Sequence, residues 1–361
     1  MEIHQLVVSA SPGDAVTSAA LGFQTLLQRV GPSGLFARYV DPALHGTVFP
    51  LTVYEACAQP DDLLVYHVSI GEPEITRFLL GRPERLILVY HNITPAEYFA
   101  TLDPAFAGLL ACGRAELCLL RGRADMALAV SRYNARELES FGYQDVRLSP
   151  LPVDVSALRE VEPDVATVAE LESLDGPLIL FVGQLLPHKR PDLLLYAYHA
   201  LTTHLLPDAH LVLLGPGRIE RYRRALQTYV AELNLDRARI TGWVTREQLA
   251  AYYARADVFA TMSEHEGVCV PLLEAMSFDV PVVARDYGAV SETMGDAGLL
   301  LPPDDDPFLV AEALAEVLTS EGLRAEMVCR GRDRLAGIDA EAAYGAFLGH
   351  LVDLVGTGAG M

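Results

Sequence analysis

The chain has 361 residues, 51% of them apolar and 21% charged, a globular balance with length enough for two domains that each bury a core. Lys plus Arg number 27 against 48 Asp plus Glu, and the net charge of -21 repels a phosphate backbone, so nucleic acid is excluded as an expected partner. The five cysteines are an odd number with no C-x-x-C pair, which argues against a disulfide framework and against a zinc site.

Short Val/Ile/Leu runs alternate with longer stretches of helical period, the pattern of βαβ units and parallel sheets covered on both faces. It occurs twice. In the first half the predicted strands are Gln5–Ser9, Leu35–Val40, Leu63–His67, Leu86–Tyr90 and Met126–Val130, with helices such as Thr17–Val30 and Arg132–Phe141 between them. The arginines between Arg114 and Arg136 are the one place where peripheral membrane contact can be sought, and the interleaved Glu116, Asp125 and Glu137 argue against it. Residues 149 to 177 are acidic and proline-bearing, as in an exposed linker. Beyond them the predicted strands are Leu178–Val182, His210–Leu214, Arg239–Thr241, Val258–Thr261, Val282–Ala284 and Leu299–Leu301. From Pro307 onward the reading is helical, with breaks at Gly331 and Gly337 and a mobile GTGAGM tail.

The expected organisation is a doubly wound α/β domain over 1–155, a second over 170–335, and a terminal helical segment over 336–361. Such sheets bind ligands at the carboxyl ends of their strands, so two of them facing each other would enclose a cleft. No run reaches about 18 apolar residues, and the N-terminus lacks the basic region of a signal sequence. The expected location is cytoplasmic.

The densest chemical signal is SEHEGVCVPLLEAM, residues 263 to 276, which follows the strand Val258–Thr261 and enters a helix at Pro271. Proline suits a first helical turn, where its missing N–H would have had no partner. Free N–H groups and the helix dipole make such a turn an anion site, offered by Gly267, Val268 and Cys269 onward to Leu272. Glu266 precedes the turn and Glu274 lies within it, so one carboxylate can meet a sugar hydroxyl and the other the hydroxyls of a ribose. The alternative is a solvated loop residue and a carboxylate that only complements the dipole.

Glu266 and Glu274, with seven residues between them, and the continuation AMSFDVPVVARDYGAVSETMGDAGLLLPPDD resemble the donor-site signature of family 4 of the retaining GT-B glycosyltransferases. That resemblance implies a GT-B fold of two Rossmann-like domains and a nucleoside-diphosphate sugar as donor. It also implies that Glu274 binds the donor ribose and that Glu266 holds the transferred sugar. FVGQLLPHKRPDLLLYAY resembles the family's G-R-x4-K diphosphate element, with Gly183 at the strand end, Lys189 on the lysine and Gln184 where arginine normally stands. A lysine there can neutralise a leaving diphosphate. Gln184 keeps hydrogen-bond donors but loses charge and fork geometry, about 1–3 kcal/mol at such a site, which Arg190 or His188 would have to supply.

LLGPGR resembles the second βα turn, with Gly215 against a nucleotide, and TGWVTREQLAAYYARADVF resembles the base-lining segment, with backbone near Trp243 and Val244 in contact. In the first half, SPGDAVT places Gly13 and Asp14 in the family's glycine loop, and His91 closes a strand where the family often has a histidine near the sugar. His67 closes another strand, and Ser131 and Asn134 serve equally as ligand contacts or helix caps.

Asp304, Asp305 and Asp306 suggest a metal, but acidic residues before a helix favour its start, and a metal is not expected. No cofactor is expected beyond the donor itself. The reading is thus a metal-independent, retaining hexosyltransferase acting on an unidentified acceptor, with Glu266, Lys189, His91 and Asp14 at its chemistry. The alternative is a catalytically weakened or non-catalytic subunit, prompted by Gln184. A dinucleotide oxidoreductase is disfavoured because neither half shows G-x-G-x-x-G after its first strand.

Overall fold

Continuous apolar runs such as LLVYHV and LILFV have no polar face to offer solvent, and both become central strands of parallel sheets. The computed structural model describes residues 1–357 and divides into two units, Met1–Val153 with the chain from Asp339, and Asp154–Ile338.

The first unit holds seven parallel strands: β1 (Ile3–Ala10), β2 (Leu35–Val40), β3 (Phe49–Pro50), β4 (Leu63–Val68), β5 (Arg85–Tyr90), β6 (Met126–Ala129) and β7 (Val146–Leu148). Their spatial order, β3-β2-β1-β4-β5-β6-β7, reverses direction between β1 and β4, the topological switch point of a doubly wound sheet. Every long strand was legible from its apolar run. The two missed, β3 and β7, are edge strands of two and three residues with no periodicity to read.

The helix Ala340–Thr357 belongs to this unit. Its Phe347 is fully buried, with its ring 4.2 Å from that of Phe23, and His350 Nε2 lies 2.9 Å from the Leu148 carbonyl. Of the expected GTGAGM tail, Gly356 and Thr357 end that helix, and residues 358–361 lie outside the described part.

The second unit holds β8 (Leu178–Val182), β9 (His210–Leu214), β10 (Ala238–Gly242), β11 (Val258–Thr261), β12 (Val282–Arg285) and β13 (Leu299–Leu301), ordered β10-β9-β8-β11-β12-β13. All are parallel, and the reversal falls between β8 and β11.

Two expectations need correction. Residues 149 to 177 are not an exposed linker throughout: Leu158 and Leu171 are buried, with Val161 and Leu174 packed beside them on the core, and Val165–Glu172 is a helix. Those leucines and valines are too sparse to signal an element, yet they cover one face of the second sheet. Gly331 does not break the helix Glu321–Ala336. It is buried within it, in a helical conformation, where a Cβ would make ordinary contact 3.5 Å from Met276 Cγ. The breaks come at Ser320, which caps the helix by accepting from Leu323 N–H, and, as expected, at Gly337, which ends it before the helix Ala340–Thr357.

Candidate functional site

In the second unit the switch point joins the carboxyl ends of β8 and β11, and the residues of the two strongest motifs meet there. Beyond β8 a 3-10 turn, Pro187–Lys189, leads through Arg190 in the left-handed region (φ 50°) into the helix Pro191–His204. Beyond β11 the loop 262–269 leads through Cys269, also left-handed at φ 67°, into the helix Val270–Ser277 with proline in its first turn. The two loops are tied by Glu264 N–H, which donates to the His188 carbonyl at 2.7 Å.

Lys189 Nζ donates to Glu266 Oε1 at 2.6 Å. Glu266 is buried, at 6% exposure. Burial works against the Lys189 charge, but the Glu266 carboxylate beside it more than compensates and holds its pKa above the ordinary value. Cys269 is buried next to this pair, and burial together with the Glu266 charge pushes its thiol well above the usual range, so it is not a thiolate. The main chain of Glu266 is pinned from behind. Ala289 N–H donates to its carbonyl at 3.0 Å, and Gly288, at φ 62°, comes so near that a Cβ there would lie 2.5 Å from that oxygen.

Glu274, in the second turn of the helix Val270–Ser277, accepts from Tyr253 Oη at 2.9 Å. Burial pushes its carboxyl up from the ordinary value, opposed by the Tyr253 hydrogen bond and the charge of Arg246. Gly183 and Gly215 follow β8 and β9 and touch: a Cβ on Gly215 would lie 2.0 Å from the Gly183 carbonyl oxygen. Gln184 is exposed. Gly267 and Val268 precede the helix, partly exposed, and Val268 offers its carbonyl to Thr293 Oγ1. Trp243, 70% exposed, stands after β10 with Val244 packed on the core beneath it.

Arg190 is not free to replace the missing arginine. Its guanidinium bonds Glu264, Asp192 at 3.2 Å and Asp305 at 3.0 Å. Arg285, which sequence reasoning passed over, completes this cluster. It is 1% exposed, donates to Asp305 Oδ1 at 2.7 Å and to the Met262 carbonyl at 3.2 Å, and lies 3.5 Å from Glu264. A charged residue ending the apolar run VPVVAR was the available signal. Asp305 thus serves two arginines, while Asp306 caps the helix Pro307–Thr319 through Phe308 N–H. Among the described residues no group of three or more His, Cys, Asp or Glu side chains gathers that could hold a metal ion.

The first unit carries Gly13, Asp14, His67 and His91 at the carboxyl ends of the adjacent strands β1, β4 and β5. Gly13 turns the chain at φ 77°. Asp14 Oδ2 caps the helix Ala15–Val30, accepting from Thr17 N–H and Thr17 Oγ1, both at 2.8 Å. Its carboxylate is therefore a structural cap in this structure. His91 and His67 join ring to ring, with Nε2 of the first 2.8 Å from Nδ1 of the second. Ser131 caps the helix Arg132–Ser140, and Asn134 donates to the Tyr90 carbonyl at 3.1 Å. Of the arginines in this unit, Arg114 pairs with Glu137 at 2.6 Å and Arg123 turns to the carbonyls of Leu79, Arg82 and Glu84. No helix among the described residues is long and apolar enough to cross a membrane.

Two doubly wound parallel units of this kind define the GT-B fold. Sucrose-phosphate synthase from Thermosynechococcus elongatus superposes over 99% of this chain and 100% of its own with a TM-score of 0.76 at 20% identity. The Anabaena HepE structure in complex with UDP does so over 98% and 100%, with a TM-score of 0.76 at 16% identity. In the second unit, residues 167–334 match the family model of the group 1 glycosyl transferases. A D-inositol 3-phosphate glycosyltransferase of Xylanimonas cellulosilytica is 31% identical over 61% of this chain and 55% of its own length. A GDP-mannose-dependent monoacylated alpha-(1-6)-phosphatidylinositol monomannoside mannosyltransferase of Corynebacterium glutamicum is 30% identical over 61% of this chain and 59% of its own. The chain is thus matched over little more than half the length of these relatives.

Proposed function

We propose that this protein transfers a sugar from a nucleoside-diphosphate sugar to an acceptor hydroxyl, with retention at the anomeric carbon and without a resident metal. The observation that carries this reading is the Lys189–Glu266 ion pair at 2.6 Å, set at the switch point of the second sheet beside the first turn of the helix Val270–Ser277. A diphosphate seated on that turn finds main-chain N–H groups, the helix dipole and one ammonium group. Charge that builds on the leaving diphosphate is then met by Lys189, already held in its charged form by Glu266. Glu266 takes a hydroxyl of the transferred sugar and Glu274 the ribose.

Metal independence follows from this assignment of charge to the lysine, and it fits a cluster at 304–306 whose Asp305 is spent on arginines. The donors of similar proteins, UDP-glucose for HepE and GDP-mannose for the mannosyltransferase, make UDP and GDP the first nucleotides to try. The test is thermal stability in EDTA against UDP, GDP, ADP and dTDP; a ligand at a hundred times its dissociation constant adds about 2.7 kcal/mol. Stabilisation by one diphosphate that disappears in Lys189→Ala is the expected result. No response to any of the four overturns the reading.

A further inference from the structure

A chain of buried polar side chains runs inward from His91, and its direction can be worked out from its far end. The Ser33 carbonyl can only accept, so it fixes the Gln24 amide by taking Nε2–H at 2.6 Å. Gln24 Oε1 then faces Gln5, whose Nε2 donates to it at 2.8 Å and to the Ala20 carbonyl at 3.1 Å. Both amides are oriented by main-chain carbonyls, and neither can be flipped without setting acceptor against acceptor. Gln5 Oε1 therefore points at His67 Nε2, 2.9 Å away, and His67 must carry its proton there.

His67 has no exposed surface, and burial, with His91 alongside, holds its pKa well below the ordinary value. It is neutral, so Nδ1 bears the lone pair. His91 Nε2, 2.8 Å from that nitrogen, must donate to it. Burial likewise lowers the His91 pKa to about 4, so the ring is neutral near pH 7, with its proton on Nε2 and its lone pair on Nδ1. A cation for a phosphate is not what this ring supplies.

We propose that Gln24, Gln5 and His67 are positioning residues that lock His91 in the Nε2–H tautomer, so that its Nδ1 accepts a hydrogen bond from a hydroxyl of the sugar substrate. This rests on the transferase reading above. Apolar residues of the same volume often fill such a place beside Phe23 at no cost in stability, so packing alone does not call for the chain. What the chain does achieve is to leave one nitrogen of a half-buried ring as an acceptor at the carboxyl end of β5.

The experiment is nitrogen-15 NMR of the histidine rings in the full chain at pH 7, for the wild type and Gln5→Leu, together with release of UDP from UDP-glucose or GDP from GDP-mannose. The expected wild-type spectrum shows His67 and His91 both neutral and both protonated on Nε2. Adding the accepted donor shifts the His91 Nδ1 resonance. In Gln5→Leu, His91 becomes a mixture of tautomers and kcat/KM falls about tenfold, the size of one neutral hydrogen bond, while UDP or GDP binding is unchanged. A wild-type His91 that is charged or protonated on Nδ1 overturns the proposal without any variant. So does a folded Gln5→Leu protein with wild-type turnover. A wild type stabilised by none of UDP, GDP, ADP and dTDP sinks the transferase reading and the hydroxyl role with it, and the ring spectrum then decides the relay by itself.

Discussion

Lys189 Nζ and Glu266 Oε1, 2.6 Å apart, join the βα turn after β8 to the turn after β11, so the two motif residues act as one ion-paired unit rather than as two separate ligands. Glu266→Ala leaves the ammonium without its counter-ion in a poorly hydrated place, at a cost of about 1–3 kcal/mol in urea unfolding. Transfer is abolished while nucleotide binding survives. Because a diphosphate supplies the missing negative charge, UDP or GDP raises the melting temperature more in this variant than in the wild type. A smaller rise than in the wild type contradicts the role given to Lys189.

Gln184 is exposed at the end of β8, where an arginine would have room to reach a phosphate. Arg190 cannot stand in for it while it holds Glu264, Asp192 and Asp305. Gln184→Arg is expected to tighten diphosphate binding about tenfold or more, the worth of a charge-assisted hydrogen bond, with little change in stability. Calorimetric titration with UDP and GDP decides it.

Glu274 is buried with its carboxyl pKa raised. An acid whose folded pKa lies above its unfolded value stabilises the fold at low pH and loses that contribution as pH rises through the folded pKa. Replacing it by glutamine removes the cost of ionisation, so Glu274→Gln should melt higher than the wild type at pH 7 and lose that advantage towards pH 4. Nucleotide affinity should fall at the same time, because the acceptor for the ribose is weakened. Melting curves across that range, with and without nucleotide, check both halves.

Arg285 carries two carboxylates and a carbonyl from a position with 1% exposure. Arg285→Met leaves Glu264 and Asp305 to Arg190 alone and is expected to cost about 1–3 kcal/mol. Arg285→Lys should recover little, since a point charge cannot serve the divergent partners of a guanidinium. A lysine variant as stable as the wild type in denaturant would remove the case for a geometric role.

Gly288 presses on the main chain of Glu266 from a left-handed turn. Gly288→Ala adds both backbone strain and a contact at 2.5 Å, so stability should drop by about 1–3 kcal/mol and transfer should suffer through displacement of Glu266. Unchanged turnover in a correctly folded variant would show that Glu266 tolerates the shift.

The sequence by itself determined the two parallel sheets, nearly all their strands and the two strand-turn-helix motifs that hold Lys189 and Glu266, because each is local. A strand buried on both faces must be apolar along its length, and a strand-turn-helix anion site needs its glycine, proline and acidic residues within one short segment. It also showed, in Gln184, the one place where a charge is missing. Pairings between distant segments were decided only by the tertiary structure. Arg190 and Arg285 became partners of Glu264 and Asp305, and the 304–306 cluster was thereby turned towards arginines. Asp14 became a cap, and His91 acquired a tautomer through Gln5, a residue 86 positions earlier that in sequence is no more than a polar break in an apolar strand. Side-chain chemistry of that kind depends on which strands lie side by side, and apolar periodicity carries no record of their order.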